Sequence, residues 1–201
     1  MAGPPKSRQT AAELQAQLES DPEWVAQKEA RERVWRERHE QLKIAERPIV
    51  DGLSRLGIGV DSVWDLVNIE GDYQSAIPIL FSHLLKSYPD RIKEGLARSL
   101  AVPSARHLWS ELVPLYKETD AHAEPGFKEG LSVALAALAE HKELDDIIDL
   151  LSASQHGDSR LHLLRPLFRS KTEKAFNALD QLALDPFYER EIRRRRRTAK
   201  R

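Results

Sequence analysis

The chain has no cysteine, one methionine, nine glycines and only 6 % aromatic residues among 201. Without cysteine it has no disulfide scaffold, no thiolate zinc site and no cysteine nucleophile. No apolar run approaches the roughly 18 residues that cross a bilayer, and residues 1–30 lack the basic-then-apolar layout of a secretory signal. Glycine is too sparse for a collagen-like class, and a 41 % hydrophobic content is too high for a wholly disordered one. The expectation is a soluble, cytoplasmic protein with no membrane association, long enough for one domain or a short array of repeats.

What is abundant is charge, 31 % of all residues, and it is unevenly placed behind a net of −1. Residues 1–47 balance nine basic against nine acidic side chains. Residues 48–189 carry 14 basic and 22 acidic ones, while residues 190–201 carry eight basic and one acidic, with Arg193, Arg194, Arg195, Arg196 and Arg197 in unbroken succession. A body of net −8 repels a phosphate backbone at long range and the basic end attracts one, so nucleic acid, if bound, is held through that tail. A solvated end, or one folded back on the acidic body, is the other reading of such a run.

Helix signals dominate. Residues 1–10 read as a disordered lead. Thr10 and Glu13 stand at capping-box spacing, and Asp21-Pro22 is a second helix start, with proline where its missing N–H is harmless. Residues 11–46 form a charged helical extension in which, between Ala26 and Gln41, only Val34 and Trp35 are large and apolar. Trp35, Leu42, Ile49 and Leu56 recur every seven residues, which suits either a solvated helix or a coiled-coil strand. Leu53 to Leu56 are expected to close a short helix, Asp61 to cap the next, and Gly57-Ile58-Gly59 to be a helix stop and turn. Further helices are expected near 73–87, 91–101, 103–118, 126–140, 142–153, 159–169, 172–183 and 187–197, joined by short loops and hence antiparallel to their neighbours. No two-residue alternation predicts a strand. Residues 47–189 form the repeat body and 190–201 the basic tail.

The body repeats itself. Lys93-Glu94-Gly95-Leu96 returns as Lys128-Glu129-Gly130-Leu131, and Ile77-Pro78-Ile79 returns as Val113-Pro114-Leu115. A third unit pairs residues 144–148 with 159–164. One helix pair cannot cover its own apolar face, so neighbours must stack. Glycine inside a helix costs about 1 kcal/mol relative to alanine, and its recurrence at one register predicts a close helix approach there. Pro78 and Pro114 are expected inside their helices as kinks. These residues, with Asp61-Ser62-Val63-Trp64-Asp65 and the His156-Gly157-Asp158 turn, resemble the HEAT-repeat family, and in particular small bacterial HEAT-repeat proteins, over about Asp61 to Asp185. The resemblance implies an all-α, right-handed α-solenoid of antiparallel helix pairs, here with a long charged N-terminal helix. It also implies a turn aspartate in each unit. Asp90 and Asp158 fit, whereas Pro125-Gly126 replaces aspartate in the middle unit.

No catalytic constellation is legible. The seven histidines form neither His-Glu-x-x-His nor Glu-x-x-His, and Gly-x-Ser-x-Gly and phosphate-cradling glycine loops are missing. Asp145 and Asp149, i,i+4 near a helix start, suit the dipole there or a weak cation site. Trp109, Tyr116, Phe127 and Phe168 stand at core spacing. No catalytic residue, metal or cofactor is expected, and the leading reading is a non-enzymatic scaffold that binds another protein, as an adaptor or an inhibitor of the immunity type. Aligning the second helices places Lys93, Lys128 and Arg160 at one register and Arg98 and Arg165 at another, with Glu94 and Glu129 alongside. On the HEAT resemblance these seven would line the concave, partner-binding face; local ion pairing is the alternative. The second reading is nucleic-acid binding through Arg193 to Arg197, including a HEAT-like DNA glycosylase.

Overall fold

A computed structural model describes residues 10–69, 71 and 73–198, and every regular element among them is helical. In chain order these are α1 (Ala11–Glu19), α2 (Pro22–Arg55), α3 (Val63–Leu66), α4 (Ile77–Leu84), α5 (Asp90–Ser99), α6 (Trp109–Glu118), α7 (Pro125–Leu138), α8 (Leu144–Ser152), α9 (Leu164–Arg169), α10 (Glu173–Leu182) and α11 (Pro186–Thr198). Single 3-10 segments lead into α4, α6, α8 and α9, at Gln74–Ala76, Pro103–Leu108, His141–Glu143 and Ser154–Leu163. The expected disordered lead lies outside the described residues apart from Thr10.

The chain divides into two compact units at Ile44/Ala45, within α2. In the first, Thr10 accepts from the Glu13 amide while the Glu13 carboxylate accepts from the Thr10 amide, the capping box that the sequence predicts. Asp21 accepts from the Glu23 amide at the start of α2. No residue from Thr10 to Ile44 is buried. Trp35 stacks on His39, ring centroids 5.2 Å apart.

In the second unit, α3 packs on α5, α5 on α7, and α7 on the 154–163 segment and α9. A parallel series of contacts joins α4 to α5, α6 to α7, and α8 to the 154–163 segment and α9, with α10 against α9 and α11. The core follows from the apolar stripes of these helices: Leu80 and Leu84, Ile92 and Leu96, Leu112 and Tyr116, Phe127, Leu131 and Leu135, then Ile147, Leu151, Leu164 and Leu167. Of the aromatic residues expected in the core, Tyr116 and Phe127 are fully inside, and Trp109 and Phe168 are half-buried.

Several local expectations are corrected. α2 is one helix from Pro22 through Pro48 to Arg55, so Leu53 to Leu56 close a long helix rather than a short one. Ser62, not Asp61, caps α3, in a capping box with Asp65. Pro78 lies in the first turn of α4, where it removes no intrahelical bond; of these two prolines Pro114 alone is interior to its helix. The 3-10 lead-ins account for this difference, because they let one Ile/Val-Pro pattern fall at different depths of the following α-helix.

Both repeated glycines face a neighbouring helix too closely for a side chain, Gly95 against side chains and Gly130 against backbone. A Cβ on Gly95 would lie 2.7 Å from Val63 Cγ1 and 2.8 Å from Trp64 Nε1, both on α3. A Cβ on Gly130 would lie 2.8 Å from the Glu94 carbonyl oxygen and 2.9 Å from Ala97 Cβ, both on α5. Gly130 thus admits α5 closer than any side chain would, whereas Gly95 leaves room for the Val63 and Trp64 side chains of α3. Gly130→Ala is expected to lower stability by about 1–3 kcal/mol even though alanine is the better helix former, because its obstacle is backbone. Gly59→Ala, with nothing within 4 Å, should be near neutral. Urea midpoints of the two variants check this, with the slope of unfolding unchanged.

Candidate partner-binding surface

The first turn of α7 has amides without intrahelical acceptors. Asp90, at the start of α5, supplies the acceptor: its carboxylate takes the Phe127 amide at 2.7 Å and the Gly126 amide at 3.1 Å. Pro125 has no N–H to satisfy, and a Cβ at position 126 would lie 2.7 Å from Asp90 Oδ2. Pro125-Gly126 therefore receives the aspartate of the preceding unit. The sequence flagged it as a missing aspartate because the bond spans 36 and 37 residues.

The seven nominated residues separate into three environments. Lys93, Glu94, Arg98 and Glu129 come together where α5 meets α7. Glu94 accepts from Arg98 Nε at 2.8 Å and from Arg91 Nη1 at 2.9 Å, and Arg98 Nη2 stands 3.7 Å from Glu129 Oε2. Lys93 pairs with Glu124 at 2.9 Å and lies over the Phe127 ring, 3.8 Å from its centroid, while Arg91 lies over Trp64 at 3.5 Å. Beyond them His162, half-buried in the 154–163 segment, has its pKa lowered by burial and by Arg98, against the opposing pull of Glu129.

Lys128 and Arg160 are in the interior, 1 % and 7 % exposed, so they do not extend a surface column from Lys93. Lys128 Nζ donates to the carbonyls of Tyr116 and Thr119 at the end of α6 and lies 4.5 Å from the Tyr116 ring centroid. Arg160 donates to the carbonyls of Leu151, near the end of α8, and of Gly157, and covers the rings of Phe187 and Tyr188. Both satisfy carbonyls that a helix end leaves over and place positive charge at its negative pole. The spacing revealed the register of these cations but not which way they face. Arg165 is exposed on α9.

Between the two buried cations lies a polar cluster that the sequence reading passed over. Tyr116 Oη and Ser159 Oγ are 2.8 Å apart, Ser159 donates to the His156 carbonyl, and the Tyr116 and His156 rings meet at 4.9 Å. His156 is buried and its Nδ1 has no partner among the described residues. Burial first, then Lys128, Arg160 and Lys117, push its pKa down to about 4. Burial pushes Tyr116 and Tyr188 up to about 12, so both remain protonated donors.

Arg193 to Arg197 lie on α11, which is anchored by buried Tyr188 and Ile192. Arg193 pairs with Glu189, Arg194 and Arg195 with Glu191, and Arg196 with Asp180 on α10. Hydrogen bonds from Arg194 and Arg195 hold the Glu191 carboxyl down at about 2, against the opposing effect of burial. Arg197 is exposed. Among the described residues no group of three acidic or histidine side chains is placed to hold a metal ion; Asp145 pairs with Lys174, and Asp146 accepts from the Trp109 indole. No helix of the described residues is long and apolar enough to cross a membrane. No family model, curated protein or solved structure matches the chain.

Two predictions follow from the interior cluster. Lys128→Met strands two buried carbonyls and should cost about 2–4 kcal/mol, whereas Arg165→Ala should change stability by less than about 0.5 kcal/mol, both read by denaturant titration. The folded state holds His156 neutral and the unfolded chain protonates it near pH 6.5, so stability is lost as pH falls from 6.5 towards 4, by up to about 3 kcal/mol. His156→Leu should flatten that part of the melting-temperature profile.

Proposed function

We propose that the chain is a short, right-handed HEAT-like α-solenoid acting as a non-enzymatic docking module for another protein. The fold part is supported by Gly95 and Gly130 each facing a neighbouring helix too closely for a Cβ, and by Asp90 at the start of α5 capping α7. The observation that carries the docking part lies in the first unit. Val34 and Trp35 are adjacent and each about two-thirds exposed (64 and 65 %), on a stretch of helix otherwise rich in charges of both signs. Trp is a frequent binding anchor, and a charged rim around a few apolar anchors is how many protein interfaces are built. Taken by itself, the second unit carries the Arg91, Lys93, Glu94, Arg98 and Glu129 cluster, whose mixed charge suits a polar protein partner better than a polyanion.

A specific observation favours the second reading as well: α11 sets six arginines on 13 residues, and Arg193, Arg194 and Arg197 are exposed. Glu189, Glu191 and Asp180 neutralise much of that charge, which is why protein docking is preferred. Affinity capture of the full chain from its native cells, side by side with Val34→Ala/Trp35→Ala and Arg193→Ala/Arg194→Ala/Arg197→Ala variants, separates the two. A stoichiometric protein lost with the first variant and retained by the second is the expected result. Nuclease-sensitive retention of nucleic acid, lost only with the arginine variant and steeply salt-dependent, would replace this reading with the other.

A further inference from the structure

The end of α7 opens onto a groove of about 600 Å3, within the range of small-molecule sites. Its rim carries Arg106, His141, Lys142 and Arg169, and its floor includes Ala139, Leu144 and Pro166. Among the lining side chains the one carboxylate is Glu140. In a body of net −8 this lining is a local reversal of sign, although Glu143 beside it stands 3.4 Å from the Lys142 ammonium.

Two guanidiniums are fixed there by the backbone. Arg106 Nε donates to the Leu138 carbonyl at 3.2 Å while its Nη1 pairs with Glu140 at 2.9 Å. Arg169 Nη2 donates to the carbonyls of Ala139, at 2.6 Å, and Ala136, at 3.3 Å. Each arginine spends part of its fork on the helix end and keeps the rest: among the described residues, Nη2 of Arg106 and Nε and Nη1 of Arg169 engage no acceptor. The helix terminus would by itself repel an anion with roughly half a charge, but Arg169, which no carboxylate pairs, outweighs it, and Arg106 adds what Glu140 leaves. Guanidinium donors pre-oriented in this way are suited to a phosphate or carboxylate, because their positioning entropy is already spent in folding.

We propose that this groove binds a small organic oxyanion, its phosphate or carboxylate held between Arg106, Arg169 and Lys142 and its apolar part lying on Ala139, Leu144 and Pro166. The site is separate from the docking surface, and either can fail without the other.

The test is calorimetric titration of the full-length chain at low ionic strength with two probes, phenyl phosphate and phthalate. Saturable binding of either is expected, phenyl phosphate alone indicating a phosphate ligand and phthalate alone a carboxylate ligand. Binding should weaken at least tenfold in Lys142→Glu, at an exposed position beside Glu143 whose folding is checked by its melting curve, and be unchanged in Arg193→Ala/Arg194→Ala. Absence of saturable binding for both probes overturns the proposal. So does binding that survives Lys142→Glu or disappears with the α11 substitutions, since the anion would then sit elsewhere.

Discussion

The contact of α7 with α5 through Gly130 is the constraint on which the second unit depends. A helix lacking a side chain at one position lets the next helix approach until backbone meets backbone, and the surrounding side chains then interlock at crystal-like density. Such an approach leaves no space for solvent to satisfy the helix ends beside it. The aspartate cap from Asp90 to α7 is a consequence: amides brought into a crowded junction need an acceptor from the protein itself. The same reasoning explains buried Lys128 at the end of α6 and buried Arg160 near the end of α8. Close packing of helices and capping by long cationic side chains are two aspects of one requirement.

That requirement shows why some of the molecule was legible in its sequence and some was not. The helices were readable because their signals are local: a threonine three residues before a glutamate, a proline after an aspartate, apolar residues at helical period. The repeated Lys-Glu-Gly-Leu also disclosed a close approach, since glycine has little other reason to recur inside a helix. The direction taken by the lysine of that motif was hidden. Lys93 and Lys128 occupy the same register, yet Lys93 reaches Glu124 and the Phe127 ring near the surface, while Lys128 turns into the interior to the carbonyls of Tyr116 and Thr119. The choice depends on where the preceding helix ends in space, which no spacing records. Pro78 and Pro114 make the same point, alike in sequence but one turn apart in depth because the 3-10 lead-ins differ in length.

Charge shows a similar gap between counting and placement. Five consecutive arginines read as a polycation, but on a helix they project in every direction, and Glu189, Glu191 and Asp180 meet four of them. Exposed pairs of this kind add little stability, about 0–1 kcal/mol each, yet they shorten the reach of the field that a nucleic acid would feel. The groove at the end of α7 is the reverse case. Its basic residues are scattered between positions 106 and 169, so no run announces them, and folding gathers them around a helix terminus. There backbone carbonyls alone hold the Arg169 guanidinium, while Arg106 divides its donors between the Leu138 carbonyl and Glu140. A carbonyl dipole removes part of a donor set, whereas a carboxylate cancels a whole charge. Arg169, held by backbone alone, therefore keeps a charge for a ligand that the acid-paired arginines of α11 have largely spent.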